Sequence, residues 1–176
     1  MPLRFWNDEG DKKYKDAYFT KYENIWHHGD YAEVKDSGGF VIYGRSDTTL
    51  NPGGVRLGTA EIYSEVEKFD EIIESLVVGQ SWDNDIRIIL FVILDTKYNL
   101  TEELIMKIKK QIKKNASPRH VPYKIFPIKD IPKTKNGKIA ELAVKQTIEG
   151  DQIKNFEALV NPDSLNQFKN IKELYE

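Results

Sequence analysis

Apolar and polar residues alternate in short blocks along the chain, and these blocks predict strands and helices in a mixed order. Residues 88–94 form the longest apolar run, and its Ile, Val and Phe content is typical of a buried strand. Residues 72–78 and 123–128 predict two further strands. Residues 102–114 carry apolar side chains at helical spacing behind Thr101, a good N-cap, and they predict the clearest helix.

The other predicted elements lie on either side of this group. Residues 31–35 and 40–44 are strand candidates joined by a short turn with two glycines, so they predict a β-hairpin. A helix is expected from about residue 59 to residue 69. A last helix is expected over residues 139–148, with Gly150 ending it.

The order of these elements predicts an α+β fold, because short strands alternate with helices without regular βαβ units. Residues 47–150 are expected to form a small domain with a short central β-sheet flanked by helices. Residues 1–46, which contain the hairpin, are expected to be a separate fragment. Residues 151–176 are expected to be a tail with one short helix after Pro162.

The composition narrows the classes of function. Hydrophobic residues make up 40% of the 176 residues, so the chain can form a core. The 26 basic and 28 acidic residues give a net charge of -2, which argues against a nucleic-acid partner. The absence of cysteine excludes disulfides and thiolate catalysis, and it fits a cytoplasmic protein. The longest apolar run is far shorter than the roughly 20 residues of a membrane helix, so no membrane partner is expected.

Two loops carry the candidate chemistry. Residues 44–56 combine glycines with two arginines and an aspartate, which suits a phosphate or carboxylate, although polar interdomain turns use the same residues. Residues 132–138 place Lys138 directly after an Asn-Gly turn. Such a loop either aims the amine at one point or is a solvated hairpin tip. His27 and His28 are adjacent and lack ligands at helical spacing, so no metal site is predicted.

Three segments, taken in order, resemble the motifs of the adenylate-forming acyl-CoA synthetases. Residues 26–30 resemble an aromatic-x-x-Gly-Asp motif, residues 44–62 resemble the hinge motif, and residues 132–139 resemble the terminal lysine motif. Their order and spacing make the resemblance specific. Asn51, where many members carry lysine, and the Gly-Thr-Ala-Glu-Ile segment after it look like the branch of acetyl- and acetoacetyl-CoA synthetases. Residues 5–8, 17–19, 117–122 and 161–165 are also similar to acetoacetyl-CoA synthetases.

The resemblance covers nearly the whole chain, but members of this family are several times longer. Residues 1–46 would be the remnant of the large N-terminal AMP-binding domain, whose phosphate loop, adenine pocket and acyl pocket are not among these 176 residues. The chain is therefore expected to be a cloned fragment, a broken reading frame or a gene started at an internal methionine. It is expected to be inactive alone and to need the missing domain in cis or in trans.

The resemblance implies an ATP-dependent acid–thiol ligase that consumes ATP, with Mg²⁺, and CoA. A short carboxylic acid, with acetoacetate as the expected one, would be joined to CoA while ATP becomes AMP and pyrophosphate. Lys138 would be the catalytic lysine of the adenylation step. Asp30, Arg45 and Arg56 would bind the nucleotide, and Asp47 would be the hinge about which the small domain rotates.

The resemblance also implies a CoA site. Gly53 and Gly54 would line the pantetheine tunnel, where a side chain would block it, and Lys109, Lys110 and Arg119 would contact the CoA phosphates. Two alternatives stay open. The chain could be the accessory chain of a split synthetase, or a module that binds CoA or another anion without catalysis.

Overall fold

The computed structural model describes residues 2–153 and 155–176 and divides the chain into two compact units, residues 1–30 and residues 31–176. Met1 belongs to the predicted N-terminal fragment and Lys154 to the predicted tail, and both lie outside the described residues. Each unit is built around its own set of contacts.

The first unit contains a short helix, α1, over Lys12–Tyr18. The Asp8 carboxylate accepts hydrogen bonds from the backbone N–H groups of Lys13 and Tyr14, both at 2.8 Å, which satisfies donors that the first turn of a helix leaves unpaired. The weak periodicity of this segment did not predict the helix. Edge-on aromatic contacts at 5.4–5.7 Å link the rings of Phe5, Tyr14 and Tyr18.

A two-stranded hairpin and a three-stranded sheet confirm the predicted strands. The hairpin pairs β1, Asp30–Val34, with β2, Phe40–Arg45. In the larger sheet, β3 (Ile72–Trp82) is antiparallel to β4 (Asp85–Leu94), and β5 (Lys124–Pro127) is parallel to β4. The β3–β4 hairpin extends beyond residue 78, where the prediction ended the strand, because backbone pairing continues to the turn.

Helices cover both faces of the three-stranded sheet. On one face α2 (Thr59–Val66) and α3 (Glu102–Asn115) share a hydrophobic core with β3, β4 and β5. The side chain of Thr101 accepts a hydrogen bond from the N–H of Leu104 at 3.3 Å, so the predicted N-cap is confirmed. Alternate residues of β4 enter the core on this face, namely Ile88, Leu90 and Val92.

The other face of the sheet is covered by α4, Glu141–Glu149, and by the C-terminal segment. Gly150 ends α4 in the left-handed conformation, as the sequence predicts. Ile89 and Phe91 of β4 enter this second core, which explains why residues 88–94 are apolar without alternation.

The segment predicted as a tail is part of the second core. Its 3-10 turn Pro162–Phe168 matches the short helix expected after Pro162. Four of its side chains are at most 8% exposed, namely Leu159, Leu165, Phe168 and Leu174. The functional division of the chain at residues 46 and 150 stays a prediction. Further 3-10 turns cover Glu9–Asp11, Pro52–Gly54, Pro118–His120, Phe156–Ala158 and Lys172–Leu174.

Candidate functional site

Lys138 stands at the exposed tip of a tight loop. The N–H of Gly137 donates to the carbonyl of Thr134 at 2.8 Å, and the N–H of Thr134 donates to the carbonyl of Lys138 at 2.8 Å. Gly137 has a φ of 75°, a left-handed conformation that glycine adopts without strain. The hydroxyl of Thr134 accepts from the Lys138 N–H at 3.2 Å, so the backbone from which the lysine side chain projects is fixed.

The stem of this loop is paired on two sides. Lys133 forms an antiparallel bridge with Ile139 inside the loop, and Thr134 forms one with Leu159 of the C-terminal segment. The ammonium group of Lys133 lies 2.6 Å from the carboxylate of Glu74 on β3. The stem is thereby attached both to the sheet and to the end of the chain.

The predicted hinge residue lies beside one of the predicted nucleotide ligands. The guanidinium of Arg45 contacts the Asp47 carboxylate through Nε and Nη2, both at 3.3 Å. The N–H of Thr48 and the hydroxyl of Thr49 both point to the carbonyl of Arg45, at 3.3 Å and 2.8 Å. These bonds form a compact turn between the hairpin and the small domain.

A cavity of about 190 Å³ lies next to this turn. Linker residues, β3 and α4 contribute its lining, including Asp47, Thr48, Asn51, Gly79, Glu141 and Lys145. The Glu141 carboxylate accepts a hydrogen bond from the hydroxyl of Tyr63 at 2.5 Å and further ones from the side chains of Thr48 and Thr59. Burial raises the pKa of Glu141, and the nearby charge of Asp47 adds to this effect. No sequence motif indicates Glu141, because its hydrogen-bond partners are distant along the chain.

The glycines predicted to line the pantetheine tunnel lie in a turn that is hydrogen-bonded to the Asp85 carboxylate. Gly53 and Gly54 have φ values of 58° and 76°. The N–H of Gly53 donates to both carboxylate oxygens of Asp85, at 2.8 Å and 3.1 Å. Hydrogen bonds from the backbone of Ile86 and Gly53 hold the pKa of Asp85 below its usual value. Asp85 is a residue that the motifs did not indicate.

Arg119 approaches the same turn. A Cβ added to Gly53 would lie 3.5 Å from the Arg119 Nη1, so this arginine and the glycine turn lie side by side. Lys109 and Lys110 are neighbours on α3. The Lys109 ammonium group donates to the carbonyl of Tyr123 at 2.8 Å, whereas Lys110 is exposed.

The other two predicted nucleotide ligands, Arg56 and Asp30, lie in different compact units of the chain. Arg56 is exposed in the loop before α2. Asp30 belongs to the first compact unit, where its carboxylate contacts Nδ1 of His28.

A serine, a histidine and a glutamate are hydrogen-bonded in series at the first turn of α2, and their role is structural. The buried ring of His120 bridges the Ser117 hydroxyl at 2.8 Å and the Glu61 carboxylate at 2.9 Å. The hydroxyl of Ser117 also accepts from the N–H of Arg119 at 3.2 Å, as in the cap of a turn. These hydrogen bonds therefore attach the loop before β5 to α2.

The described part of the chain has neither a cluster of metal-binding side chains nor a membrane-spanning helix. Within residues 2–153 and 155–176, no three His, Asp or Glu side chains are grouped to hold a metal ion. Among the same residues, no helix has the length and hydrophobicity to cross a bilayer.

Solved structures that resemble this chain are AMP-forming acyl-CoA synthetases. The solved structure of an anthranilate CoA ligase in complex with anthranoyl-AMP superimposes on 82% of the chain with a TM-score of 0.70 and 25% identity, which uses 27% of that protein. The chain is therefore homologous to a C-terminal portion of the AMP-forming acyl-CoA synthetases. No protein-family model matches it.

Within this class, relatives that match nearly the whole chain include acetoacetyl-CoA synthetases. The curated Rhizobium meliloti (strain 1021) protein of that name is 55% identical over 174 residues, or 99% of this chain. The solved acetoacetyl-CoA synthetase from Streptomyces lividans covers the whole chain with a TM-score of 0.89 and 38% identity. The chain spans only about a quarter of these relatives, 27% of each.

Proposed function

We propose that this chain supplies the movable C-terminal part of an acetoacetate–CoA ligase. In the proposed reaction the acid attacks the α-phosphate of MgATP to give an acyl-adenylate and pyrophosphate, and the CoA thiol then displaces AMP. The single observation that carries the proposal is the exposed Lys138 on a doubly paired stem, in a chain 55% identical to an acetoacetyl-CoA synthetase.

Lys138 would supply the positive charge of the first half-reaction. The carboxylate and the phosphate are both anions, so the attack is opposed by charge repulsion, and a cation between them lowers the barrier. An ammonium group at the end of a flexible side chain can contact both anions, and it would withdraw when the small domain rotates. The exposed tip position of Lys138 supports this role.

Two of the predicted nucleotide ligands, Asp30 and Arg45, lie before the hinge, and Arg56 lies after it in the small domain. Asp30 would accept hydrogen bonds from the ribose hydroxyls, Arg45 would contact ribose and phosphates, and Arg56 would contact a phosphate in one conformation. Asp47 would be the pivot about which the small domain turns between the half-reactions. Its ion pair with Arg45 supports a link between the pivot and the nucleotide.

The CoA side would be the glycine turn and the nearby cations. Gly53 and Gly54 would let the pantetheine arm pass close to the backbone, and Asp85 would hold the turn open by accepting from the Gly53 N–H. Arg119, which lies beside Gly53, would contact a CoA phosphate, with Lys109 and Lys110 contributing from α3.

The test uses a hybrid enzyme, because the proposed active site needs a large domain. The C-terminal 174-residue match in the Rhizobium meliloti protein is replaced by this chain. Pyrophosphate release with acetoacetate and MgATP reports adenylation, and thioester formation from preformed acyl-adenylate reports the second half. We expect Lys138→Ala to slow adenylation by at least about 100-fold and to change thioester formation only a few-fold.

Lys135→Ala is the matched control, since Lys135 is an exposed lysine of the same loop. It should leave both half-reactions near the rate of the unmutated hybrid. Equal loss of both half-reactions in Lys138→Ala would count against the assignment.

The alternative of a CoA- or anion-binding module is favoured by one observation, the proximity of Arg119 to the glycine turn. Calorimetry of the isolated chain with CoA tests it. Micromolar binding that Arg119→Ala removes, combined with an inactive hybrid, would favour the module. Co-purification with a separately expressed large domain would instead favour a split synthetase.

A further inference from the structure

We infer that Asn161 is a positioning residue for Lys138: its side-chain amide fixes the stem from which the lysine loop projects. The inference rests on the proposed role of Lys138 in adenylation. Asn161 lies in the C-terminal segment, 23 positions beyond the lysine in sequence (161 minus 138).

The amide of Asn161 binds both sides of the entry to the loop. Its Nδ2 donates to the carboxylate of Asp130 at 2.6 Å and to the carbonyl of Ile131 at 2.9 Å. Its Oδ1 accepts from the N–H of Lys133 at 2.8 Å. A primary amide has two N–H donors and one carbonyl acceptor. The Asn161 amide therefore uses both its donors and its acceptor, on residues 130, 131 and 133 around Pro132.

Backbone pairing continues from this clamp toward the loop. The N–H of Val160 donates to the carbonyl of Lys133 at 2.9 Å, and the N–H of Lys135 donates to the carbonyl of Ala158 at 3.0 Å. The stem of the lysine loop is thus one strand of a short ladder whose other strand is the C-terminal segment. Asn161 stands at the end of this ladder where the loop begins.

The C-terminal segment is itself anchored, so it can act as a support. Leu159 is buried in the second core, and so are Leu165 and Phe168 further along. The side chain of Gln167 accepts from the N–H of Lys129 at 2.9 Å and donates to the carbonyl of Asp130 at 2.6 Å. The stem is therefore held by side chains that belong to a packed element.

Fixing the stem matters because adenylation needs the ammonium group at one place between two reactants. A displacement of about 1 Å at a catalytic group can cost on the order of 100-fold in rate. Lys133, which Asn161 holds, is five positions before Lys138, with a tight turn between them. Loss of the clamp should therefore impair the half-reaction that uses Lys138 and spare the one that does not.

The kinetic test compares Asn161→Ala in the hybrid enzyme with Asn166→Ala. Asn166 is exposed in the same C-terminal turn, and its side chain contacts the ammonium group of Lys169. We expect Asn161→Ala to slow adenylation by about 10- to 100-fold with thioester formation changed less than about two-fold. Asn166→Ala should change neither half-reaction.

A second measurement uses the 176-residue chain alone and does not depend on catalysis. Amide hydrogen exchange at Lys133 and Lys135 should be at least about 10-fold faster in Asn161→Ala than in the unmutated chain. If Asn161→Ala does not fold, Asn161→Ser takes its place: its single hydroxyl can replace at most part of the three hydrogen bonds without placing a charge beside Asp130, and it should give a smaller loss with the same selectivity.

The outcomes separate the two proposals. If Lys138→Ala does not impair adenylation selectively, the proposed function fails, while exchange at the stem still decides whether Asn161 clamps it. If Lys138→Ala is selective but the Asn161 variants slow both half-reactions equally, or neither, Asn161 is not a positioning residue. Unchanged exchange at Lys133 would overturn the inference as well.

Discussion

Glu141 is the side chain that ties the linker to the rest of the small domain. It is the first residue of α4, three positions after Lys138, and its carboxylate meets hydroxyls from the linker and from α2. The hydroxyl of Tyr63 donates to Glu141 and accepts from the N–H of Val77 at 3.0 Å, so the cluster also reaches β3. A carboxyl group in this setting is a source of pH-dependent stability.

The first prediction concerns this pH dependence. Burial raises the pKa of Glu141 in the folded state above the ordinary value of 4.5. Between these two pKa values the folded chain keeps a proton that the unfolded chain loses. The free energy of unfolding should therefore fall as pH rises through this window, and the contribution should level off above the folded pKa. Glu141→Gln removes the titration and should abolish this part of the slope.

Urea unfolding of the chain at several pH values from about 4.5 to about 8 measures the difference. The stability of Glu141→Gln relative to the unmutated chain should rise with pH. Glu157→Gln is the control, since Glu157 is an exposed glutamate of the C-terminal segment, and its relative stability should change little. Parallel pH profiles for Glu141→Gln and the unmutated chain would contradict the prediction.

Among the elements of the fold, the C-terminal segment departs most from its predicted character. The sequence suggests a tail because its apolar residues follow no helical or strand period and its turns are short. In the structure the same residues complete the second core, where the Phe168 ring meets the Phe91 ring edge-on at 4.9 Å. This packing joins positions 77 residues apart (168 minus 91), and local pattern carries no information about it.

The second prediction concerns how much the C-terminal segment contributes to the free energy of unfolding. Phe168 is 1% exposed, so Phe168→Ala should lower the free energy of unfolding by about 3–5 kcal/mol through lost burial and the cavity left behind. Phe156, in the same segment, is 48% exposed. Phe156→Ala should cost less than about 1 kcal/mol. Equal losses in chemical denaturation would show that the segment is not part of the core.

Other elements were predictable because local sequence determines them. Residues 88–94 of β4 are apolar at every position, and the side chain of Thr101 caps the start of α3, so local sequence predicts both elements. The helix α1 was missed since it is short and its capping carboxylate, Asp8, stands five positions before Lys13. Its stability comes from that cap and from ring contacts rather than from an apolar stripe.

For the chain as a whole, the candidate site is predictable where a motif encodes it and hidden where tertiary contacts assemble it. Lys138 and the Gly53–Gly54 turn stand out by glycine and lysine spacing alone. Asp85 and Asn161, which hold these two loops, lie 32 and 23 positions from Gly53 and Lys138. Only the folded backbone brings Asp85 to the glycine turn and Asn161 to the stem of the lysine loop.

The last prediction concerns rotation of the small domain about Asp47. The N–H of Thr48 donates to the carbonyl of Arg45, so Asp47 is the third residue of a four-residue turn. Proline at this position fixes φ and disfavours the helical conformation at Ser46, so Asp47→Pro should restrict the linker to a few conformations. If the half-reactions need different linker conformations, the hybrid with Asp47→Pro should lose at least about 10-fold in one and much less in the other.

Asp47→Ala separates the backbone effect from the side chain, because it removes the ion pair with Arg45 and leaves the linker free to rotate. It should affect the two half-reactions similarly and mildly. Selective loss in the proline variant alone therefore assigns the effect to rotation. Normal rates of both half-reactions in Asp47→Pro would mean that the linker need not move at this residue, and the pivot would have to lie elsewhere in residues 44–56.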